Sequence, residues 1–189
     1  GRKIYLTIAS FSGDDIDMPS CVDISLKLAV QTLTDVGLRI GNISFVQGDI
    51  SNIVVAQQKN GKQIRQNTKV KRGEVIDLVV EMTESQTTTN MPDILGKTEE
   101  EAEKMLWAAG LNVGKKDFEG KKDKNHSRVV SYQPTFQGLS LGTTVSLYFI
   151  NDTKNSYKKA KRDFEEQLIL EQSQFEDWSE ITEGNVVEI

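Results

Sequence analysis

The only imidazole in the chain belongs to His126, in the stretch KKDKNHSR. To act as a general base it would need a nucleophile to activate and an acid to orient its ring. The spacing of residues around 121–128 indicates neither, so His126 reads as a solvated loop histidine. Glu99, Glu100 and Glu101 form a run of carboxylates that could on paper do acid–base work. They stand at a helix start, where the helix dipole favours anions and accounts for them. Cys21 is the one cysteine, so no internal disulfide can form, and it reads as a small buried apolar residue rather than a reactive thiol. No Cys/His spacing suits zinc, and no glycine-rich loop follows a strand to cradle phosphate. The residues predict a chain that is not an enzyme and carries no cofactor and no metal.

What holds these residues in place is repeated. Residues 18–41 read MPSCVDISLKLAVQTLTDVGLRIG, and residues 91–114 read MPDILGKTEEEAEKMLWAAGLNVG. At this offset of 73, Pro19/Pro92, Ser25/Thr98, Ala29/Ala102, Leu33/Leu106, Gly37/Gly110 and Leu38/Leu111 coincide. Thr98 is a helix N-cap, and Glu101 three residues on completes a capping box. Ser25 can cap the first copy, but Leu28 cannot close the box, which predicts a softer start. Ala102, Met105, Leu106 and Ala109 share one helical face, as do Leu26, Ala29, Val30 and Leu33. Gly37 and Gly110 occupy the left-handed position that stops a helix, with the following leucine folding back on the last turn. The spacing predicts helices over 25–36 and 98–109, each followed by a strand.

Further on, Val54–Gln57 aligns with Val129–Tyr132, and Gly73–Val80 aligns with Gly142–Phe149. The alternation of Ile76, Leu78 and Val80, and of Val145, Leu147 and Phe149, marks strands with one face on the helix. Asn60-Gly61 signals a tight hairpin in an extra loop of the first copy. Gly1–Ile8 matches the same final strand, so it reads as the end of a third, truncated unit, and an unpaired edge there invites self-association.

Composition narrows the partners. Of the chain's net charge of −5, all arises in residues 151–189, while residues 1–150 are balanced. A neutral body with an acidic tail has no counterion-release drive toward nucleic acid or anionic lipid, and no stretch approaches the roughly 20 apolar residues a membrane span needs.

The ordered set Met91-Pro92-Asp93, Gly96, Thr98, Ala102, Gly110-Leu111, Val129-Val130-Ser131, Pro134, Gly138 and Gly142-Thr-Thr-Val145 resembles PASTA domains, the repeat associated with penicillin-binding proteins and serine/threonine kinases. The first copy departs from the pattern: Asp23 replaces a glycine, and Lys59 stands where Pro134 stands. The second has Tyr132 at the family's glutamine position, which Gln57 keeps. The resemblance implies an α+β fold of tandem small units, each one helix packed on a three-stranded sheet, strung as beads and followed by a C-terminal helical tail. The expected division is 1–10 (last strand of a truncated unit), 17–83 and 90–151 (complete units), and 152–189 (acidic amphipathic helix).

It further implies an extracytoplasmic bacterial location, periplasmic or cell-surface, with an inner-membrane anchor upstream of Gly1. The implied partner is peptidoglycan, a muropeptide or a cell-wall synthesis protein. The expected role is a non-catalytic binding module. Two alternatives stand beside it: the sensory outer portion of a membrane serine/threonine kinase or penicillin-binding transpeptidase, and a structural spacer or self-association module. Wall stem peptides offer carboxylates and amides, so cations and amides on loops are the expected contacts: Arg65, Lys71, Arg72, Arg128 and Gln133. The polar stretches 10–17 and 84–89 read as exposed connectors that let the units articulate. In the tail, Tyr157, Phe164, Leu168, Phe175 and Trp178 form an apolar stripe on a helix of about 154–178. Lysines at its start oppose the helix dipole, so it should need a surface to dock on, a neighbouring unit or a partner.

Overall fold

In the computed structural model, residues 15–183 are described, with side chains through Ser173. The strand expected at Gly1–Ile8 and the Phe175 and Trp178 side chains lie outside what is described. The first unit comprises β1 (Asp15–Asp17), α1 (Leu26–Asp35), β2 (Arg39–Gln47), β3 (Ile53–Lys59), β4 (Lys62–Gln63), β5 (Lys69–Lys71) and β6 (Val75–Met82). After β7 (Thr88–Thr89), the second has α2 (Glu99–Ala108), β8 (Asn112–Phe118), β9 (Ser127–Gln133), β10 (Leu139–Ser140) and β11 (Thr144–Asn151), and α3 (Asn155–Glu183) closes the chain.

The helices begin and end as their residues dictate. The Thr98 hydroxyl accepts from Glu101 N–H, and the Glu101 carboxylate accepts from Thr98 N–H at 2.9 Å, completing the box. Ser25 caps α1 through a 3.4 Å bond from Leu28 N–H, close to the 3.3 Å of its equivalent at Thr98, but has no reciprocal partner. Both helices finish in the same double turn. Leu38 N–H donates to Leu33 C=O and Gly37 N–H to Thr34 C=O, and Leu111 and Gly110 do likewise to Leu106 and Trp107. Gly37 and Gly110 have φ of +83° and +76°, which a β-carbon would strain.

Each sheet is built alike. The last strand is central, parallel to the strand after the helix and antiparallel to the other: β2-β6-β3 and β8-β11-β9. Even the irregularities correspond, falling at Ile40/Ile43 and Val54/Ala56 in one unit and opposite Val145/Leu147 and Tyr148/Phe149 in the other. The first sheet has four strands rather than three, because Asn60-Gly61, both left-handed, turns β3 back into the two-residue β4. Each unit has its own core. Leu26, Ala29, Val30 and Leu33 pack with Ile76, Leu78 and Val80 in the first, and Ala102 and Leu106 with Val145, Leu147 and Phe149 in the second. Cys21 is fully buried, and burial pushes its thiol up to about 11.

The connectors differ from the sequence expectation. Stretch 84–89 does not hang free: β7 pairs antiparallel with β10, and Leu141 N–H donates to Thr87 C=O. Upstream, β1 pairs with β5. Nor are the units separate beads. α1 and α2 lie side by side in opposite directions, with Leu26 at the start of α1 near Gly110 past the end of α2. Asp35 at the far end of α1 meets Lys104, 3.5 Å away. Trp107 is only 5% exposed because it sinks into the first unit's core, against the expectation that the buried face of α2 serves its own sheet alone. Met105 and Ala109, expected inside, are half-buried.

The tail helix docks on the second unit. Phe164 is buried, its ring edge-on to Tyr132 at 5.0 Å, and Lys154 and Ser156 at the start of α3 both donate to Glu119. Tyr132 occupies the place of Gln57, which in the first unit is buried, accepting from Cys21 N–H and donating to Ile64 C=O. Exchange of the amide for a phenol ring gives the second unit an aromatic seat. Farther along, Ile169 and Leu170 are exposed.

Candidate functional site between the two units

Where the units meet, one side is closed and the other open. On the closed side Asn112, itself buried, acts as a three-way clasp. Its side-chain oxygen accepts from Ile43 N–H at 2.8 Å, and its amide nitrogen donates to Ile43 C=O at 3.0 Å and Gly142 C=O at 2.8 Å. Phe45 packs so closely on Gly110 that a β-carbon there would come within 3.1 Å of its ring and 2.8 Å of Leu141, leaving beside it a smaller pocket of about 270 Å³. The bulge in β2 exposes Ile43 N–H and C=O to a side chain from the other unit instead of a neighbouring strand.

The open side is a cleft of about 650 Å³ between the end of α1 and the start of α2. Its walls hold Asp35 and Arg39 from the first unit and Glu99, Glu103, Lys116 and Lys122 from the second, with Trp107 at the joint. Lys116 bridges Glu99 at 2.7 Å and Glu103 at 2.5 Å, and Lys122 also pairs with Glu99. Burial works to raise the Glu99 carboxyl, but the hydrogen bonds from Lys116 and Lys122 outweigh it and hold it below the usual carboxylate range. Burial likewise works to lower the Lys116 ammonium, and Glu103 and Glu99 override it and raise it. Arg39 and Lys124 line the cleft without an ion pair among the described residues. The indole N–H of Trp107, buried, has no acceptor among them.

The five residues expected to contact ligand do not converge. Arg65 lies in the turn before β5, its carbonyl accepting from Thr68 N–H. Lys71 is on β5, opposite Asp15. Arg72 lies over Gly37 at the C-terminus of α1, where a cation suits the helix dipole. Arg128 donates to Ser127 C=O and pairs with Asp152, 3.3 Å away. Gln133 ends β9, beside the groove under Phe164. His126 also meets Asp152, Nδ1 to Oδ1 at 3.0 Å, so that carboxylate anchors the loop before β9 to the end of β11. Missed from the sequence were Asn112, Trp107 and Arg39. Their signal was present in the repeat itself, since Trp107 and Asn112 replace Thr34 and Arg39 of the first copy.

The chain is 24% identical, over 98% of its length, to a probable serine/threonine-protein kinase of Clostridium perfringens. Both units are PASTA-like repeats. The chain spans 27% of that curated relative's length. No family model matches it. Among solved structures it is similar to the three-PASTA-domain of a Ser/Thr kinase from Staphylococcus aureus, with 18% identity and a TM-score of 0.31, covering 73% of this chain and 67% of that one. It is also similar to penicillin binding protein 2X from Streptococcus thermophilus, with 14% identity and a TM-score of 0.28, covering 73% and 17% of the two chains. No described helix of the PASTA-like chain is long and apolar enough to cross a membrane.

Proposed function

We propose that this PASTA-like pair is a non-catalytic, extracytoplasmic sensing module of a membrane serine/threonine kinase, and that it recognises peptidoglycan fragments. The observation that carries this reading is the alignment of nearly the whole chain with about a quarter of a probable kinase. A quarter of a receptor-like chain is the share an outer region would take, leaving catalysis to the remainder. Tandem units favour a polymeric ligand, because linking weak modules raises effective concentration wherever both can engage. The exposed cations of both units suit ligand carboxylates.

Titration of the purified chain with soluble muropeptides, followed by amide chemical shifts, tests the reading. Saturable shifts are expected, and their absence at millimolar ligand would overturn direct recognition. Fusing the chain outside a membrane-anchored kinase domain and assaying phosphorylation with and without fragments tests the sensory role. Equal activity in both conditions counts against it.

A further inference from the structure

The closed and open sides of the joint are counterparts. With α1 and α2 side by side and opposed, contacts on the closed side have repeat-equivalent residues on the open side. On the closed side, Leu26, Ile43 and Phe45 of the first unit meet Gly110, Asn112 and Gly142 of the second. The repeat alignment, at an offset of 73 for all but the last pair and 69 for Gly142/Gly73, converts the first set into Glu99, Lys116 and Phe118, and the second into Gly37, Arg39 and Gly73. Four of these, Glu99, Lys116, Gly37 and Arg39, line the cleft. The open side is therefore the mate of a contact filled on the other side, with charged residues replacing apolar ones. Where Asn112 clasps Ile43, the equivalent residues are Arg39 and Lys116, both lining the cleft. Two cations cannot clasp one another.

We propose that this cleft is a binding site for a short, carboxylate-bearing ligand, with Arg39 as its principal anchor. Its volume falls in the range typical of small-molecule sites. Arg39 presents a planar fork that suits a carboxylate, and Lys124 adds a second cation without an ion pair among the described residues. Lys116 is already engaged by Glu99 and Glu103, so it shapes the wall rather than taking the ligand. Trp107, packed where the units join, reports occupancy: its indole N–H has no acceptor among the described residues. The ligand bridges the two units where the protein itself leaves them apart, so binding draws the open side together. This site rests partly on the wall-recognition reading for its natural ligand, but not for its chemistry.

The test uses the full chain with Trp178→Phe, which leaves Trp107 as the one tryptophan. Its indole N–H resonance is followed during titration with N-acetylglutamate, a simple dicarboxylate, and separately with soluble muropeptides. Both are expected to move the resonance saturably. Arg39→Ala should weaken each at least tenfold, Arg39→Lys less, and Gln31→Ala, outside the cleft, not at all. Muropeptide binding unaffected by Arg39→Ala would overturn the cleft as the site while leaving wall recognition standing. Binding of N-acetylglutamate that depends on Arg39, without any muropeptide binding, would support the cleft and refute its link to the wall. No movement with either probe would overturn both.

Discussion

At the residue scale, the two copies solve one contact in opposite ways. Lys116 on β8 corresponds to Ile43 on β2, and its partners Glu99 and Glu103 correspond to Leu26 and Val30. An apolar triad in one unit is thus an ion triad in the other, and buried ion pairs often stabilise no more than well-packed apolar residues of similar size. Transplanting the first solution, Glu99→Leu with Glu103→Val and Lys116→Ile, is expected to preserve the fold with equal or higher stability. Lys116→Met alone strands Glu103, while Glu99 keeps Lys122, and should cost about 2–3 kcal/mol. Urea melts of both variants decide the matter, and a triple variant less stable than the single one would refute it. The same triad sets a pH response. Because the folded-state Glu99 carboxyl is held down, its contribution is fully present above the unfolded value of about 4.3 and is lost as pH falls through the lower folded value. The acid limb of melting temperature against pH should therefore flatten in Glu99→Gln.

At the scale of the elements, caps and stops were readable from letters because they are local chemistry. Thr98 with Glu101, the glycine stops, and the hairpin at Asn60-Gly61 all involve residues within a few positions of one another. Thr98→Ala should cost about 1 kcal/mol, and Ser25→Ala, which loses only one hydrogen bond, less. Thermal melts of the two variants test that order. Contacts between units were not readable in the same way. Trp107 sits one position from Leu106, so helical periodicity alone could not tell whether it belongs to its own sheet or to a neighbour. Burial of Glu103 was hidden too, since only the fold brings Lys116 alongside to pair with it. The ligand candidates are cations and one amide read singly, and nothing local says which of them converge. The tail helix lies between these cases. Its stripe was visible, and Tyr132 supplies the seat that the first unit, with Gln57, lacks. Phe164→Ala should release α3, seen as faster proteolysis within 155–183 while the sheet of the second unit stays intact.

For the whole molecule, the clasp predicts cooperative behaviour. Asn112 is buried and satisfies three backbone groups, two of them on the opposite unit. Trp107→Ala should cost about 3–5 kcal/mol and, because it cuts the shared core, separate one unfolding transition into two. Asn112→Ala leaves Ile43 N–H and C=O without their partners and should have the same sense with a smaller size. Calorimetry of the full chain checks both, and two transitions already present in the wild type would argue against coupling.

The opposed course of α1 and α2 bears on how far such a chain reaches. Repeats stacked end to end would lengthen a stalk with every copy. Here the two repeats are locked flank to flank by Trp107 and Asn112, so their reach is set by that joint rather than by slack in a tether.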